Sequence, residues 1–486
     1  MDLFYLMLDL LWDYILIFLC LGLGLAFTFA TKFSQVRLIK EMFVETFKGG
    51  DSSKGVSPFQ AFSMAIGGRV GLGTIAGVAS AIYFGGPGAL FWIWVMSFVG
   101  AATVFAESTL AQTYKDKVAG EYRGGPSQYL GKGTDQRWIG GVYAIFCFIS
   151  TAITGVALQS FNIADTIDNA VSFDLPHWVV GVAVAILFSL VVFGGLKRIG
   201  KFAQITTPIF TVGYILLAVA ILGYNFAEIP ATFKLIFLTA FNMEAAFSGI
   251  FISAILYGVR RSVYATEAGM GTGAIAAAAA ETSHPVKQGL VQALSVYITT
   301  IIASATALMI LVSGTYNVSD GGDGTVVNNV PDIGYGSGFV QAAADNMMVG
   351  LGSVFLPIAV FMFAFTTIIA LGFYSDTAIS YFFGQHEKIK LFQKIGYGVA
   401  AIFIVLGTLM TVDFVWDIED TAVGLMVLVN LLAMVFLIPK VIKVYNDYEK
   451  QRKAGKDPIF RPSRIGLKNA ELWEEIADSY EQPKKR

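Results

Sequence analysis

The sequence predicts an all-α polytopic membrane protein of about eleven transmembrane helices, one extra N-terminal helix followed by a five-plus-five inverted-repeat core with discontinuous helices. Three observations predict it. The 486 residues are 55% hydrophobic and 14% charged, against about 25% charged in an ordinary soluble domain. Apolar runs of ~20 residues, the length a bilayer needs, recur along the chain. One of these runs is broken by a cluster of glycines inside otherwise spanning sequence.

The runs lie at about 12–31, 59–84, 88–114, 138–164, 178–194, 203–224, 236–263, 288–314, 346–383, 395–412 and 418–442. Setting the first aside as an extra helix leaves two fives, 59–224 and 236–442, within a transmembrane domain of residues 1–445. Residues 446–486 form a polar tail, in which 466–480 reads as a short amphipathic helix opened by Asn469 and lying solvated on the membrane surface. The N-terminus carries Asp2 and Asp9 rather than a basic patch, so no cleavable leader is expected.

Lys and Arg set the orientation. They crowd the loops 32–58 and 115–137, the Lys197–Arg198–Lys201 loop, the stretch holding Arg260, Arg261 and Lys287, the Lys388–Lys394 loop and the tail. The alternate loops carry Asp165, Asp168, Asp174, Asp320, Asp323, Asp332, Asp345, Asp413 and Asp417, with Lys234 the one basic residue among them. This alternation predicts an outside N-terminus and a cytoplasmic C-terminus. Cys20 and Cys147 fall in apolar runs and read as small packing residues.

The broken run is Ala65–Ala89, with Gly67, Gly68, Gly71 and Gly73 around Arg69. Each glycine costs a helix interior about 1 kcal/mol relative to alanine. Irregular backbone at membrane depth survives only where protein buries it or it lines a cavity. Interrupted helices at matching places in two halves of a chain point to a transport site. The second half offers a weaker break within Phe241–Phe251, around Ser248-Gly249.

These segments resemble a family. GLGTIAGVASAIYFGGPGALFWIWV, FAESTLAQTYK (105–115), YRGGPSQYL (122–130), YATEAGMGTGAIAAAAAETSHPVKQG (264–289) and FAFTTII (363–369) are similar to motifs of the alanine or glycine:cation symporters. The resemblance runs from about residue 12 to 445. It implies the architecture of the bacterial leucine transporter and sodium-coupled uptake of a small neutral amino acid. Departures touch the same region. Gly71-Leu72-Gly73-Thr74 stands for G-T-G-N, Ala265-Thr266-Glu267-Ala268-Gly269 for S-N-E-A-G, Thr299-Thr300 for Asp-Thr, Leu371 for a Trp, and Tyr374-Ser375-Asp376 for Y-G-E.

By this resemblance, Na+ as coupling ion would meet the carbonyls at Gly67 and Val70 and the hydroxyls of Thr366 and Thr367. Helical threonines also bond their own preceding turn. A second sodium would involve Thr74 and Thr299, and its survival stays open, as does sodium against proton coupling. The substrate carboxylate would meet amides near Gly71, Gly73 and Thr74 at a helix N-terminus. Its ammonium would meet carbonyls at Phe247, Ser248 and Gly249, and its side chain would face Leu371 and Gln159.

Arg69, Glu107 and Glu267 are charges at membrane depth, and such groups are paired or functional. Arg69 is expected to pair with Glu107 or Glu267, with Arg261 nearby, as an inward gate or as a static pair that orients helices. His177, His284 and His386 lie in loops or at span ends, so no embedded histidine relay is evident. SDGGDGT (319–325) lacks the register of a calcium loop and reads as a turn. No H-E-x-x-H or G-x-S-x-G motif supports an enzyme. A filter repeat that would support a channel is missing too. The expected partners are the amino acid, sodium and the lipid bilayer, with no nucleic acid; the expected form is a monomer in a bacterial plasma membrane.

Overall fold

A computed structural model of the chain describes residues 2–49, 52, 54–168, 175–243, 245–322 and 324–481; Asp174 and Asp323 of the acidic loops lie outside the described residues. The first half runs α1 (Phe4–Ala30), α2 (Pro58–Arg69), α3 (Ala76–Gly85) and α4 (Ala89–Thr113). A hairpin of β1 (Asp116–Val118) and β2 (Glu121–Arg123) follows, then α5 (Arg137–Asp168), α6 (His177–Val192) and α7 (Gly195–Tyr224). After α8 (Ile229–Ala240) the same order returns. It comprises α9 (Phe251–Thr266), α10 (Thr272–Ala279), α11 (Pro285–Val312), a hairpin of β3 (Asn317–Ser319) and β4 (Thr325–Asn328), α12 (Leu351–Phe383), α13 (Ile389–Gly407) and α14 (Val412–Lys453). The helix α15 (Leu472–Glu481) ends the described chain.

Among the described residues, eight helices are long and apolar enough to cross a membrane. The other three expected spans fall on the interrupted α2–α3, on the short α6, and on the broken path from α8 to α9. The halves interlock through α4, which packs along α11, α9 and α10.

Two expectations are corrected. The second interrupted helix is α9–α10, with its break at Glu267–Gly271. The turn at 241–250 precedes that helix rather than dividing it. The sequence groups Arg260 and Arg261 with a basic loop on the tail side. They instead line a cavity of about 510 Å³ with Asp165, Tyr335, Asp413, Trp416, Asp417 and Asp420, on the side of the acidic loops. Acidic and aromatic neighbours there offset the charge of both arginines.

The tail-side loops are tied together by charge. Arg37 pairs with Glu449 at 3.4 Å, Arg452 with Glu41 at 2.9 Å, and Lys48 with Asp457 at 3.3 Å. The tail helix does not lie free on a surface. Trp473 of α15 is fully buried, and its indole N–H donates to the Gln112 carbonyl at 2.8 Å. Asn469 does not cap this helix; its amide donates to the Lys132 carbonyl at 3.0 Å and so anchors the tail to the short helix Pro126–Gly133. His284 caps α11, its Nδ1 accepting from the Val286 N–H at 3.2 Å, and its Nε2 faces Asp447 of α14 at 3.3 Å.

Two outcomes are expected here. Trp473→Ala removes about 3–5 kcal/mol from tail docking, read as lost amide-exchange protection across 472–481 with α4 unchanged. Burial pushes the His284 imidazole down to about 4, against the opposing pull of Asp447. An unfolded histidine titrates near about 6.5, so the neutral form is the docked form. Stability from this site is full above that value and is lost as pH falls toward 4. Exchange protection of the tail should therefore weaken between neutral pH and pH about 5, and His284→Asn should flatten that dependence.

Candidate substrate and ion site

The start of α2 is fixed by a capping box. Ser57 Oγ accepts from the Gln60 N–H at 3.2 Å, Gln60 Oε1 accepts from the Ser57 N–H at 2.9 Å, and Pro58 fills the first helical position. Its end is forced by glycine and by the neighbours those glycines admit. A Cβ on Gly71 would lie 2.5 Å from Thr367 Oγ1 and 2.8 Å from Gln159 Oε1. A Cβ on Gly73 would lie 3.2 Å from the carbonyl of Tyr264, at the end of α9. The first break thus meets α5, α12 and the second interrupted helix at backbone range.

Carbonyls released by the break find hydroxyls. Thr74 Oγ1 lies 2.9 Å from the Val70 carbonyl and 3.2 Å from that of Gly71. Thr367 Oγ1 lies 2.8 Å from the Gly67 carbonyl and 3.1 Å from that of Phe363. Thr366 Oγ1 lies 3.4 Å and 2.8 Å from the same two carbonyls. A hydroxyl has one proton and two lone pairs. When the proton goes to Phe363, a lone pair is left toward Gly67. Both sequence readings of these threonines, the helical back-bond and the contact with the broken helix, occur together.

The second break uses positive backbone φ at Glu267 (54°), Gly269 (90°) and Gly271 (77°). Its carbonyls are also satisfied by side chains. Asn430 Nδ2 donates to the Gly269 carbonyl at 2.8 Å, and the Tyr143 hydroxyl donates to that of Met270 at 2.6 Å. Asn430 Nδ2 also donates to Glu107 Oε1 at 2.7 Å, while the Tyr129 hydroxyl donates to Asn430 Oδ1 at 2.7 Å. Sequence reasoning missed Asn430, Tyr129 and Tyr143. The signal for Asn430 was present, an amide inside the apolar run MVLVNLLAMVF.

Arg69 and Glu267 join the two breaks. Arg69 Nε lies 3.3 Å from Glu267 Oε2, with both side chains buried, and Arg69 Nη1 donates to Ser295 Oγ. Of the two expected partners the structure selects Glu267; Glu107 is held by Asn430 instead. Arg261 does not join this cluster, since it stacks its guanidinium 4.7 Å from the Trp416 ring at the acidic-loop cavity.

Gln159 meets the first break at Gly71, whereas Leu371 is placed against α5 one turn earlier. Leu371 reaches Gly155, whose Cβ position lies 3.1 Å from Leu371 Cδ1, one turn before Gln159 on α5. Phe247 is not brought to Gly71–Thr74; it packs against Gly86, at the far end of α3. Gly249 lies on the same turn with open space around it, and the Ser248 side chain lies outside the described residues. The carbonyls nearest Gly73 are those of the Tyr264 region, because the second interruption lies at Glu267–Gly271. Thr299 is buried and bonds the Val296 carbonyl of its own helix at 3.0 Å.

Two interrupted apolar helices, packed at their breaks within a polytopic bundle, define a membrane transporter of the discontinuous-helix class. The chain belongs to the sodium:alanine symporter family, whose family model matches residues 2–462. It is 46% identical over 466 residues to YrbD of Bacillus subtilis (strain 168), covering 96% of both chains. It is 40% identical over 441 residues to the sodium/proton-dependent alanine carrier protein of Bacillus sp. (strain PS3), covering 90% of this chain and 98% of that one. It is 33% identical over 451 residues to the sodium/alanine symporter AgcS of Methanococcus maripaludis, covering 90% of this chain and 96% of that one. The family and these relatives are transporters, and the chain is a transporter rather than an enzyme.

Removing one partner of a buried ion pair costs about 3–5 kcal/mol. Arg69→Ala should therefore lower the thermal stability of the purified protein more than Arg261→Ala does. The double exchange Arg69→Glu with Glu267→Arg should recover part of the loss of either single change. Equal losses in the single and double variants would speak against a pair.

Proposed function

We propose that this protein carries a small neutral amino acid, alanine or glycine, into the cell by sodium-coupled symport and alternating access. The observation that carries the reading is the meeting of Gly67, Gly71, Gln159, Thr366 and Thr367 at one interrupted helix. Sodium prefers oxygen ligands. The Gly67 carbonyl and the Thr366 and Thr367 hydroxyls would supply them, with the threonine protons turned to Phe363, and the Val70 carbonyl would join once Thr74 releases it. The substrate carboxylate meets the backbone at Gly71–Thr74, where the dipole of α3 favours an anion. Its ammonium meets the carbonyls at the end of α9 near Tyr264, which approach Gly73. Gln159 and Leu371 bound its side chain. Thr74 and Thr299 are the residues for a second ion.

Arg69 and Glu267 then act as a latch, because they tie the two interrupted helices across their breaks. The tail side is the cytoplasm, as its gathered Lys and Arg residues support, so the N-terminus is outside. One chain supplies every residue of this site, so a monomer in a bacterial plasma membrane suffices. The transmembrane domain spans residues 1–445 in two repeats, 59–224 and 236–442, followed by the tail.

Radiolabelled alanine uptake into proteoliposomes tests this reading, with an inward gradient of sodium, of protons or of neither. Sodium-dependent accumulation is expected. No accumulation under any gradient would sink the substrate assignment. Thr367→Val keeps the shape but loses the hydroxyl; the sodium concentration for half-maximal uptake should rise about tenfold, the effect of about 1.4 kcal/mol. Gly71→Ala, which drives a methyl into Thr367 and Gln159, should abolish uptake.

A further inference from the structure

Glu419 of α14 is a carboxylate at membrane depth that the site above does not use. It is buried at 6% exposure, and among the described residues it forms no ion pair with Lys, Arg or His. Its partners are neutral. The Thr154 hydroxyl donates to Oε2, and the Ser150 hydroxyl lies 3.5 Å from Oε1. These two residues bound a π-helical turn, Ser150–Thr154, inside α5. A π turn is rare and recurs at functional sites. With more than four residues per turn, it brings positions 150 and 154 onto one face, so both hydroxyls straddle a single carboxyl group.

Burying an ionised carboxylate without a cation is too costly for the group to stay charged; it takes up a proton instead. The surroundings fit that outcome. A protonated carboxyl is a donor as well as an acceptor, and a hydroxyl can face either form. The charged and titratable groups nearby are committed elsewhere. Asp420, the next residue, binds Arg260 and the Tyr264 hydroxyl, both from α9. Trp12 of α1 donates its indole N–H to the Asp420 carbonyl at 3.0 Å. Asp13, also on α1, lies within electrostatic reach of Arg260. From α5 come Ser150, Thr154 and Gly155, and from α12 comes Leu371, none of them charged.

The position links two regions. Asp420 lines the acidic-loop cavity, and Glu419 turns inward from it. On its inner side Glu419 Oε1 lies 3.2 Å from the Cβ position of Gly155, where Leu371 also arrives. Gln159, one turn on, reaches Gly71 at the first break. Contacts therefore run from the carboxyl to the interrupted helix through one face of α5.

We propose that Glu419 is a proton-binding site, read by Ser150 and Thr154, that takes its proton from water in the acidic-loop cavity and couples it to movement of the amino acid. The step is one proton transfer: the carboxylate with a hydronium proton becomes the carboxylic acid, and the proton leaves when the site turns to the other side. The coupling half of this inference rests on the symport reading above, whereas the protonation does not.

Two measurements on the full-length protein in lipid test it. Infrared difference spectra at neutral pH should show the carbonyl stretch of a protonated carboxylic acid, reduced in Glu419→Gln by one group. In proteoliposomes clamped against a membrane potential, with sodium equal on both sides, a gradient of about one pH unit should drive up to about tenfold alanine accumulation for one coupled proton. Glu419→Gln should abolish that accumulation and keep alanine counterflow. Should the glutamine protein not fold, Glu419→Asp replaces it and should keep the band at a shifted frequency. An unchanged spectrum overturns the proton site, and so does pH-driven accumulation that survives in the glutamine variant. Absence of alanine counterflow in the unaltered protein overturns the substrate reading instead, and the infrared band then decides the site by itself.

Discussion

Everything at the centre of this protein follows from one constraint: backbone carbonyls freed at membrane depth must find donors inside the protein. Each interrupted helix meets it in its own way. At the first break the donors are hydroxyls from Thr74 on the same strand of chain and from Thr366 and Thr367 across on α12. At the second they are Asn430 and Tyr143, from α14 and α5. The two solutions differ in adaptability. A threonine hydroxyl with two carbonyls in reach can turn its proton away and offer a lone pair. An amide whose two N–H groups go to Gly269 and Glu107 has no such freedom. The threonine-lined break is thus suited to a ligand that comes and goes, and the asparagine-lined break to a fixed hinge.

Close approach is the second consequence. Gly71 and Gly73 are glycine because a methyl would strike Thr367, Gln159 and the Tyr264 backbone. These contacts, more than backbone flexibility, explain why so many glycines fall within seven residues. They also explain why the first break was legible in the sequence while its partners were not. The cluster from Gly67 to Gly73 announces itself against an apolar background. Gly269 and Gly271 are as necessary, each with positive φ, but they sit after Arg260, Arg261 and Glu267. Those charges make α9 look as though it has already left the membrane. The arginines face the acidic-loop cavity instead, and the hydropathy of the run hides a helix that lines a wet space on one side. The weaker Ser248-Gly249 signal marks a turn ahead of that helix.

The tail shows the same limit in a different form. Its amphipathic pattern was readable, but a pattern does not say what covers the apolar face. Asn469 has the chemistry of a helix cap and serves as a strut to Lys132. Trp473 has the look of a membrane-surface anchor and fills a fully buried position beside Gln112. In both cases the deciding partner lies more than 300 residues away in sequence, beyond the reach of local periodicity.

The buried acids sort by partner, and the sorting separates structure from coupling. Glu267 faces a guanidinium, Glu107 an amide, and Glu419 only hydroxyls. An ion pair holds its carboxylate charged, and charge removal there leaves Arg69 unpaired in a low-dielectric interior. An amide that donates to a carboxylate and to a backbone carbonyl at once fixes geometry at the hinge. Hydroxyls impose neither demand, since each can donate to a carboxylate or accept from a carboxylic acid. Of the three positions, Glu419 is the one whose partners can face either protonation state by turning a hydroxyl. It is also the one next to the acidic-loop cavity, from which protons can arrive, and one helical face away from the break that the amino acid is read to occupy.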